Sequence, residues 1–175
     1  MTPPRECFEI PGVGHSGGGQ KGFIPFGTRV GDFLLALPFG LLTLAFFPLL
    51  ALAIKLTSKG PVLYSQERTG KGGDLFRIYK FRTMRTDAEK SGAQFAVRND
   101  PRVTSIGWFL RRTRLDETPQ LWNVLLGDMS IVGPRAYYPD ELANQQRLYP
   151  STRKLVKKVL SIKPGITGFW QVSGR

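Results

Sequence analysis

Asp116 and Glu117 stand side by side in the segment Arg111-Arg112-Thr113-Arg114-Leu115-Asp116-Glu117-Thr118-Pro119. Two acids set among three arginines is a pattern with chemical use. A carboxylate can attack phosphorus when cations and a divalent metal neutralise the incoming phosphate. A second carboxylate alongside is a natural ligand for Mg²⁺, which takes one or two protein oxygens together with substrate phosphates. Thr118 reads as a helix N-cap, Pro119 as the first helical position and Gly127 as the stop, with Leu121, Trp122, Val124, Leu125 and Leu126 packing that helix. Both acids would then sit at a helix mouth, where unpaired N–H groups and the positive dipole end collect. The pair taken alone suits ordinary helix-start acids with surface ion pairs better than it suits chemistry.

Further cations recur in short frames. Lys80-Phe81-Arg82-Thr83 puts two of them two residues apart, on one face if the segment is strand. Gly133-Pro134-Arg135 presents an arginine from a stiff turn, and Pro164 to Gly168 forms another glycine turn ahead of Trp170, Gln171 and Arg175. Arginine's planar fork suits bidentate phosphate binding. The net charge of +12 asks for a polyanionic partner: nucleic acid, an anionic membrane surface or a phosphorylated substrate. The basic residues are scattered rather than blocked, which argues against a disordered nucleic-acid tail. The single cysteine, Cys7, allows no intrachain disulfide and fits a reducing compartment. The lone histidine, His15, has no second metal-type ligand beside it.

The elements that must position these groups include a membrane segment. Phe33 to Ile54 carries no charged side chain, and ~20 apolar residues suffice to cross bilayer hydrocarbon. Yet Pro38, Gly40 and Pro48 interrupt it, and proline removes a helix hydrogen bond. Basic residues flank it on both sides, Arg5, Lys21 and Arg29 before, Lys55, Lys59, Arg68 and Lys71 after. Lys and Arg mark cytoplasmic flanks, so both ends read as cytoplasmic. A re-entrant helix that breaks near Pro48 and leaves by the face it entered reconciles these facts. The division expected is therefore 1–27 flexible and Pro/Gly-rich, 28–58 the re-entrant helix, and 59–175 the catalytic domain. Two β-prone stretches around Val62–Tyr64 and Leu75–Phe81, joined by Arg68-Thr-Gly-Lys-Gly-Gly-Asp74, suit a hairpin. Residues 83–101 read as irregular. Helices follow at Ser105–Thr113 and between Leu142 and Leu160, interrupted near Pro150. The last carries Leu155, Val156, Val159 and Leu160 on one face and Arg153, Lys154, Lys157 and Lys158 on the other, a pattern shared by interfacial helices and by core-packed helices with a solvated face; next to an intramembrane segment the interfacial reading is the one expected. The fold class expected is α+β.

In order along the chain stand Arg29…Asp32, Lys59-Gly60-Pro61-Val62, Gln66-Glu-Arg68-Thr-Gly70 and Lys80-Phe81-Arg82-Thr83-Met84. Then come Leu115-Asp116-Glu117-Thr-Pro-Gln120-Leu-Trp-Asn123-Val, Gly127-Asp128-Met129-Ser130-Ile-Val-Gly133-Pro134-Arg135 and Lys163-Pro164-Gly165-Ile-Thr167-Gly168-Phe-Trp170-Gln171-Val-Ser-Gly174-Arg175. With these pieces the chain from Arg29 to Arg175 strongly resembles the bacterial sugar transferase family, the monotopic phosphoglycosyl transferases. The resemblance implies transfer of a sugar 1-phosphate from a nucleotide sugar, typically a UDP-sugar, to a polyprenyl phosphate on the cytoplasmic face of the bacterial inner membrane. It implies Asp116 as nucleophile and Glu117 as the Mg²⁺-linked acid. Lys80, Arg82, Arg111, Arg135 and Arg175 are then expected to converge on that site as phosphate-binding cations. The partners expected are UDP-sugar, polyprenyl phosphate and membrane lipids, with no nucleic acid. Where the family commonly breaks its helix at Ser-Pro, this chain has Phe47-Pro48, and relatives usually continue through another short segment past the position of Arg175. A membrane-anchored basic binding module would explain the charge but not the acid pair among arginines. A truncated, inactive family member is the other alternative.

Overall fold

A computed structural model describes residues 26–88 and 100–169. The readings at Cys7, His15, Lys21, Trp170, Gln171 and Arg175, and those for most of 1–27 and for 89–99, lie outside the described residues.

Helix α1 runs from Phe26 to Thr57 and stays helical through Pro38 and Pro48. The expected break near Pro48 is therefore no loop, and any change of direction there is a kink inside a helix. One stripe of α1 meets the rest of the chain at three- and four-residue spacing. It comprises Arg29, Asp32, Ala36, Gly40, Phe47, Leu50 and Ile54. Ala36 packs with Ile78, Val124 and Met129, while Ile54 packs with Phe81 and Leu110. The other faces of α1, including Phe33, Leu34, Leu41, Leu44, Leu49 and Leu52, are exposed. Water would not tolerate such a surface, because a contiguous apolar patch of this kind marks a contact with membrane or partner.

Polar anchors pin both ends of that stripe. Arg29 Nη1 and Nη2 donate to the carbonyls of Val124 and Leu125 at 2.6 and 2.9 Å. Asp32 accepts from Ser130 Oγ at 2.8 Å and from the Ile131 amide at 2.9 Å. At the far end, Arg82 Nη2 donates to the carbonyl and the hydroxyl of Ser58, both at 2.8 Å. Arg29 thus does structural work at a helix C-terminus as well as carrying positive charge ahead of the apolar run.

The hairpin forms as the spacing predicts. Strand β1 (Leu63–Thr69) pairs antiparallel with β2 (Leu75–Phe81), from Leu63↔Phe81 to Thr69↔Leu75. Gly72 and Gly73 take the left-handed conformations that close the connecting turn. Helix α2 (Ser105–Thr113) is capped by Thr104, whose hydroxyl accepts from the Gly107 amide at 3.0 Å. Helix α3 (Gln120–Leu126) ends at left-handed Gly127. A second sheet joins β3 (Ser130–Val132) in parallel to β4 (Gly165–Thr167). The two glycine turns read separately in the sequence are thus zipped together. A Cβ on Gly133 or Gly165 would overlap the facing backbone.

Helix α4 (Pro139–Leu148) and α5 (Arg153–Leu160) flank a short 3₁₀ turn at Pro150–Thr152. The apolar face expected for α5 is divided: Val156 and Leu160 pack with Leu142 and Tyr137, whereas Leu155 points outward among the lysines. Trp122 and Leu126 of α3, expected to pack, are likewise exposed, Trp122 at 61%. Leu121 and Val124 alone could not have foretold this, since sequence spacing marks an apolar face without saying whether protein or lipid covers it.

Asn123 locks α3 against β2. It is fully buried; its Nδ2 donates to the Arg77 carbonyl at 2.7 Å and its Oδ1 accepts from the Tyr79 amide at 3.3 Å. The side chain therefore acts as one extra rung on the strand edge. Asn123→Leu, which fills the space but leaves two buried strand groups unpaired, is expected to lower stability by roughly 2–4 kcal/mol. Chemical denaturation of the purified protein checks this, and a loss under about 0.5 kcal/mol would mean the strand edge needs no partner.

Candidate active site

Helix α2 ends at Arg114, a non-glycine residue with φ +60°. That left-handed turn feeds a 3₁₀ turn, Leu115–Glu117, which carries both acids. Left-handed backbone at a bulky residue costs free energy and marks a place where surrounding structure imposes geometry. Thr118 is not an N-cap. Its hydroxyl donates to the Leu115 carbonyl at 2.9 Å and its backbone is already helical, so the acids sit one tight turn ahead of α3 rather than at its mouth. The cause is local: the 3₁₀ turn supplies the carbonyl that draws the hydroxyl backward.

Lys80, from β2, places Nζ 2.9 Å from Glu117 Oε1, and both side chains are half-buried. Asp116 is only 9% exposed, and among the described residues its Oδ1 has no hydrogen-bond partner. Burial pushes the Asp116 carboxyl above its ordinary range and the neighbouring Glu117 charge adds to that, while Lys80, Arg111 and Arg114 pull it down. Arg111 is half-buried and lies close enough to Asp116 for their charges to attract. Its Nε donates to Thr83 Oγ1 at 2.8 Å.

Of the expected cations, Lys80 and Arg111 meet the acid pair. Arg114, which the sequence places just upstream, joins them. Arg82 does not. Strand β2 ends at Phe81, so Arg82 leaves the strand pattern and turns to Ser58; the residue is buried, and its Nε and Nη1 lack partners among the described residues. Arg135 stands in a different group. It lies 3.9 Å from Glu141 and 5.9 Å from the Tyr137 ring, near Arg68, whose guanidinium stacks on Tyr138 at 3.4 Å.

A carboxyl raised on folding favours the neutral form in the folded state. The cost of ionising Asp116 in place is absent below the ordinary carboxylate range and appears as pH rises through its raised value. Asp116→Asn is therefore expected to melt at a higher temperature than the parent above neutral pH, with the gap closing towards about pH 4. Thermal unfolding at both pH values checks it, and a lower melting point for the variant above neutral pH would show that the surrounding cations outweigh burial.

Two cavities adjoin the region. One, about 390 Å³ and largely apolar, runs between α1 and α3 past Gly40, Leu44, Phe47, Pro119 and Trp122; Thr118 and Tyr79, chain neighbours of Glu117 and Lys80, line it, and the two acids do not. The other, about 700 Å³, lies at the C-terminal end of α1 beside Lys59, Arg85 and Thr104, and neither acid lines it. Among the described residues no group of three or more acidic, histidine or cysteine side chains could cage a metal. A pair of adjacent carboxylates, one with an unpartnered oxygen, still fits Mg²⁺, which keeps water and substrate phosphate as its remaining ligands.

A model for a family described as bacterial sugar transferase matches residues 24–175. An exopolysaccharide production protein of Rhizobium leguminosarum bv. phaseoli is 49% identical over 136 residues, covering 77% of this chain and 68% of the relative. A UDP-glucose:undecaprenyl-phosphate glucose-1-phosphate transferase of Escherichia coli is 43% identical over 149 residues, 83% of this chain and 31% of the relative. A UDP-N-acetylgalactosamine-undecaprenyl-phosphate N-acetylgalactosaminephosphotransferase of Aeromonas hydrophila is 41% identical over 156 residues, 86% and 34% respectively. The chain spans from 26% to 68% of the length of the curated relatives it matches.

Proposed function

We propose that this chain, which belongs to the bacterial sugar transferase family, transfers a sugar 1-phosphate from a UDP-sugar to polyprenyl phosphate at the cytoplasmic face of the bacterial inner membrane. The observation that carries the reading is Asp116: a buried carboxylate with an unpartnered oxygen, ringed by Lys80, Arg111 and Arg114. Relatives whose names specify undecaprenyl phosphate support the acceptor, and those names specify glucose in one case and N-acetylgalactosamine in another.

Asp116 Oδ1 attacks the sugar-bearing phosphorus. The new Oδ1–P bond forms as the bridging P–O bond breaks, and UMP leaves with that oxygen and its electron pair. An oxygen of polyprenyl phosphate then attacks the same phosphorus, freeing the Asp116 carboxylate and giving polyprenyl-diphosphate-sugar. Negative charge on the phosphoryl oxygens is what Lys80, Arg111 and Arg114 stabilise. Glu117, with Asp116, would hold Mg²⁺, and when bound that ion supplies further charge neutralisation for the diphosphate.

Helix α1 supports membrane attachment. Both ends of its buried stripe bond to one body, at Arg29 and Asp32 and again at Ser58, while its remaining faces are apolar and exposed. A helix entering and leaving by one face satisfies both facts. The apolar groove beside Pro119 would give the polyprenyl chain a path from the acid pair into lipid. Labelling of single cysteines placed at positions 21 and 71, with Cys7 replaced, is expected to find both on the cytoplasmic side. Opposite-side labelling would establish a true span.

UMP release measured with a panel of UDP-sugars and undecaprenyl phosphate tests the function itself. Release with at least one donor is expected, and no release with any would leave the basic binding module as the better reading.

A further inference from the structure

Thr83 lies just past β2 and is almost fully buried. Its carbonyl accepts from the Thr104 amide at 3.0 Å and from the Thr104 hydroxyl at 3.3 Å. A Cβ on Gly107 would overlap that same carbonyl, so the strand end is seated flush on α2. Positions 104, 107 and 111 share one face of the helix at i, i+3 and i+7. Thr83 therefore covers the face that ends in Arg111, and its Oγ1 accepts from Arg111 Nε at 2.8 Å. The backbone bonds already hold the strand end in place. The hydroxyl contact to Arg111 is an addition that the fold does not otherwise need.

A guanidinium can grip a phosphate side-on, through Nε and one Nη, or end-on through both Nη groups. With Nε taken by Thr83, and no hydrogen bond to Nη1 or Nη2 among the described residues, only the end-on grip remains. The geometry points to Thr83 as a positioning residue: its hydroxyl fixes the Arg111 fork so that both Nη groups engage the transferring phosphoryl group beside Asp116. This rests on the transfer reading above, and it assigns Thr83 no contact with substrate.

Thr83→Val keeps shape and branching but removes the acceptor, while Thr83→Ser keeps the acceptor. Loss of a hydrogen bond to a charged group predicts a fall in kcat of roughly tenfold for Val and less than about twofold for Ser. KM for the UDP-sugar should move less than kcat, since the charge on the phosphoryl oxygens is greatest in the transition state. In an Arg111→Ala background, Thr83→Val should cost nothing more, because nothing remains to be positioned. Melting temperatures identify a variant that misfolds, in which case Thr83→Ala against Thr83→Ser carries the same comparison. UMP release from the parent protein, with equal Thr83→Val losses whether or not Arg111 is present, would overturn the positioning role alone. No UMP release from the parent would overturn the transfer reading and this role together.

Discussion

Asp116→Asn is expected to fold, bind membrane and release no measurable UMP, a loss on the order of 10⁴-fold or more, as for removal of other covalent nucleophiles. The amide keeps the side chain's size in its buried position between Arg111 and Glu117. What disappears is the negative charge that makes the carboxylate oxygen a nucleophile toward phosphorus. The raised carboxyl adds a second, coupled expectation: the dead variant should also be the more stable one above neutral pH, a familiar exchange where a site holds a group at some cost. Retention of substantial turnover by the variant, in a preparation whose parent is active, would refute Asp116 as nucleophile and favour direct attack by the lipid phosphate.

Glu117→Gln is expected to lose roughly 10²–10³-fold in kcat, comparable to removal of a group that stabilises developing charge, and to lose its response to Mg²⁺. The contact to Lys80 at 2.9 Å makes this separable from general damage. A glutamine can still accept from Lys80, so the strand-to-turn link survives while the charge needed for the metal does not. Titration of Mg²⁺ against turnover for parent and variant is the measurement. An unchanged Mg²⁺ dependence in the variant would move the metal away from Glu117.

Much of this arrangement is legible along the chain. The acid pair, the upstream arginines, Lys80, the hairpin and the helix over Ser105–Thr113 all stand where local spacing and turn chemistry place them. Periodicity fails where contacts are distant in sequence. Nothing local reveals that Arg29 would cap α3, that Asp32 would hold the start of β3, or that Gly133 and Gly165 would meet across a parallel pair. Lys80 and Arg82 look equivalent at strand spacing, yet the strand ends between them and they part. Thr118 looks like a cap because Ser and Thr usually are caps before helices, and the 3₁₀ turn overrides that preference. Asn123 carries no sequence signal of its own, since an asparagine in a helix is ordinarily a mild liability and only tertiary contact makes it a strand rung.

The covalent intermediate is the centre of the account, and intact-protein mass after incubation with the UDP-sugar donor alone tests it most directly. With Mg²⁺ present and no polyprenyl phosphate, the parent should release one UMP per molecule and gain the mass of one sugar phosphate. Adding polyprenyl phosphate should discharge that mass, and Asp116→Asn should never acquire it. UMP release that occurs only with acceptor present, with no added mass on the protein at any time, would contradict the account.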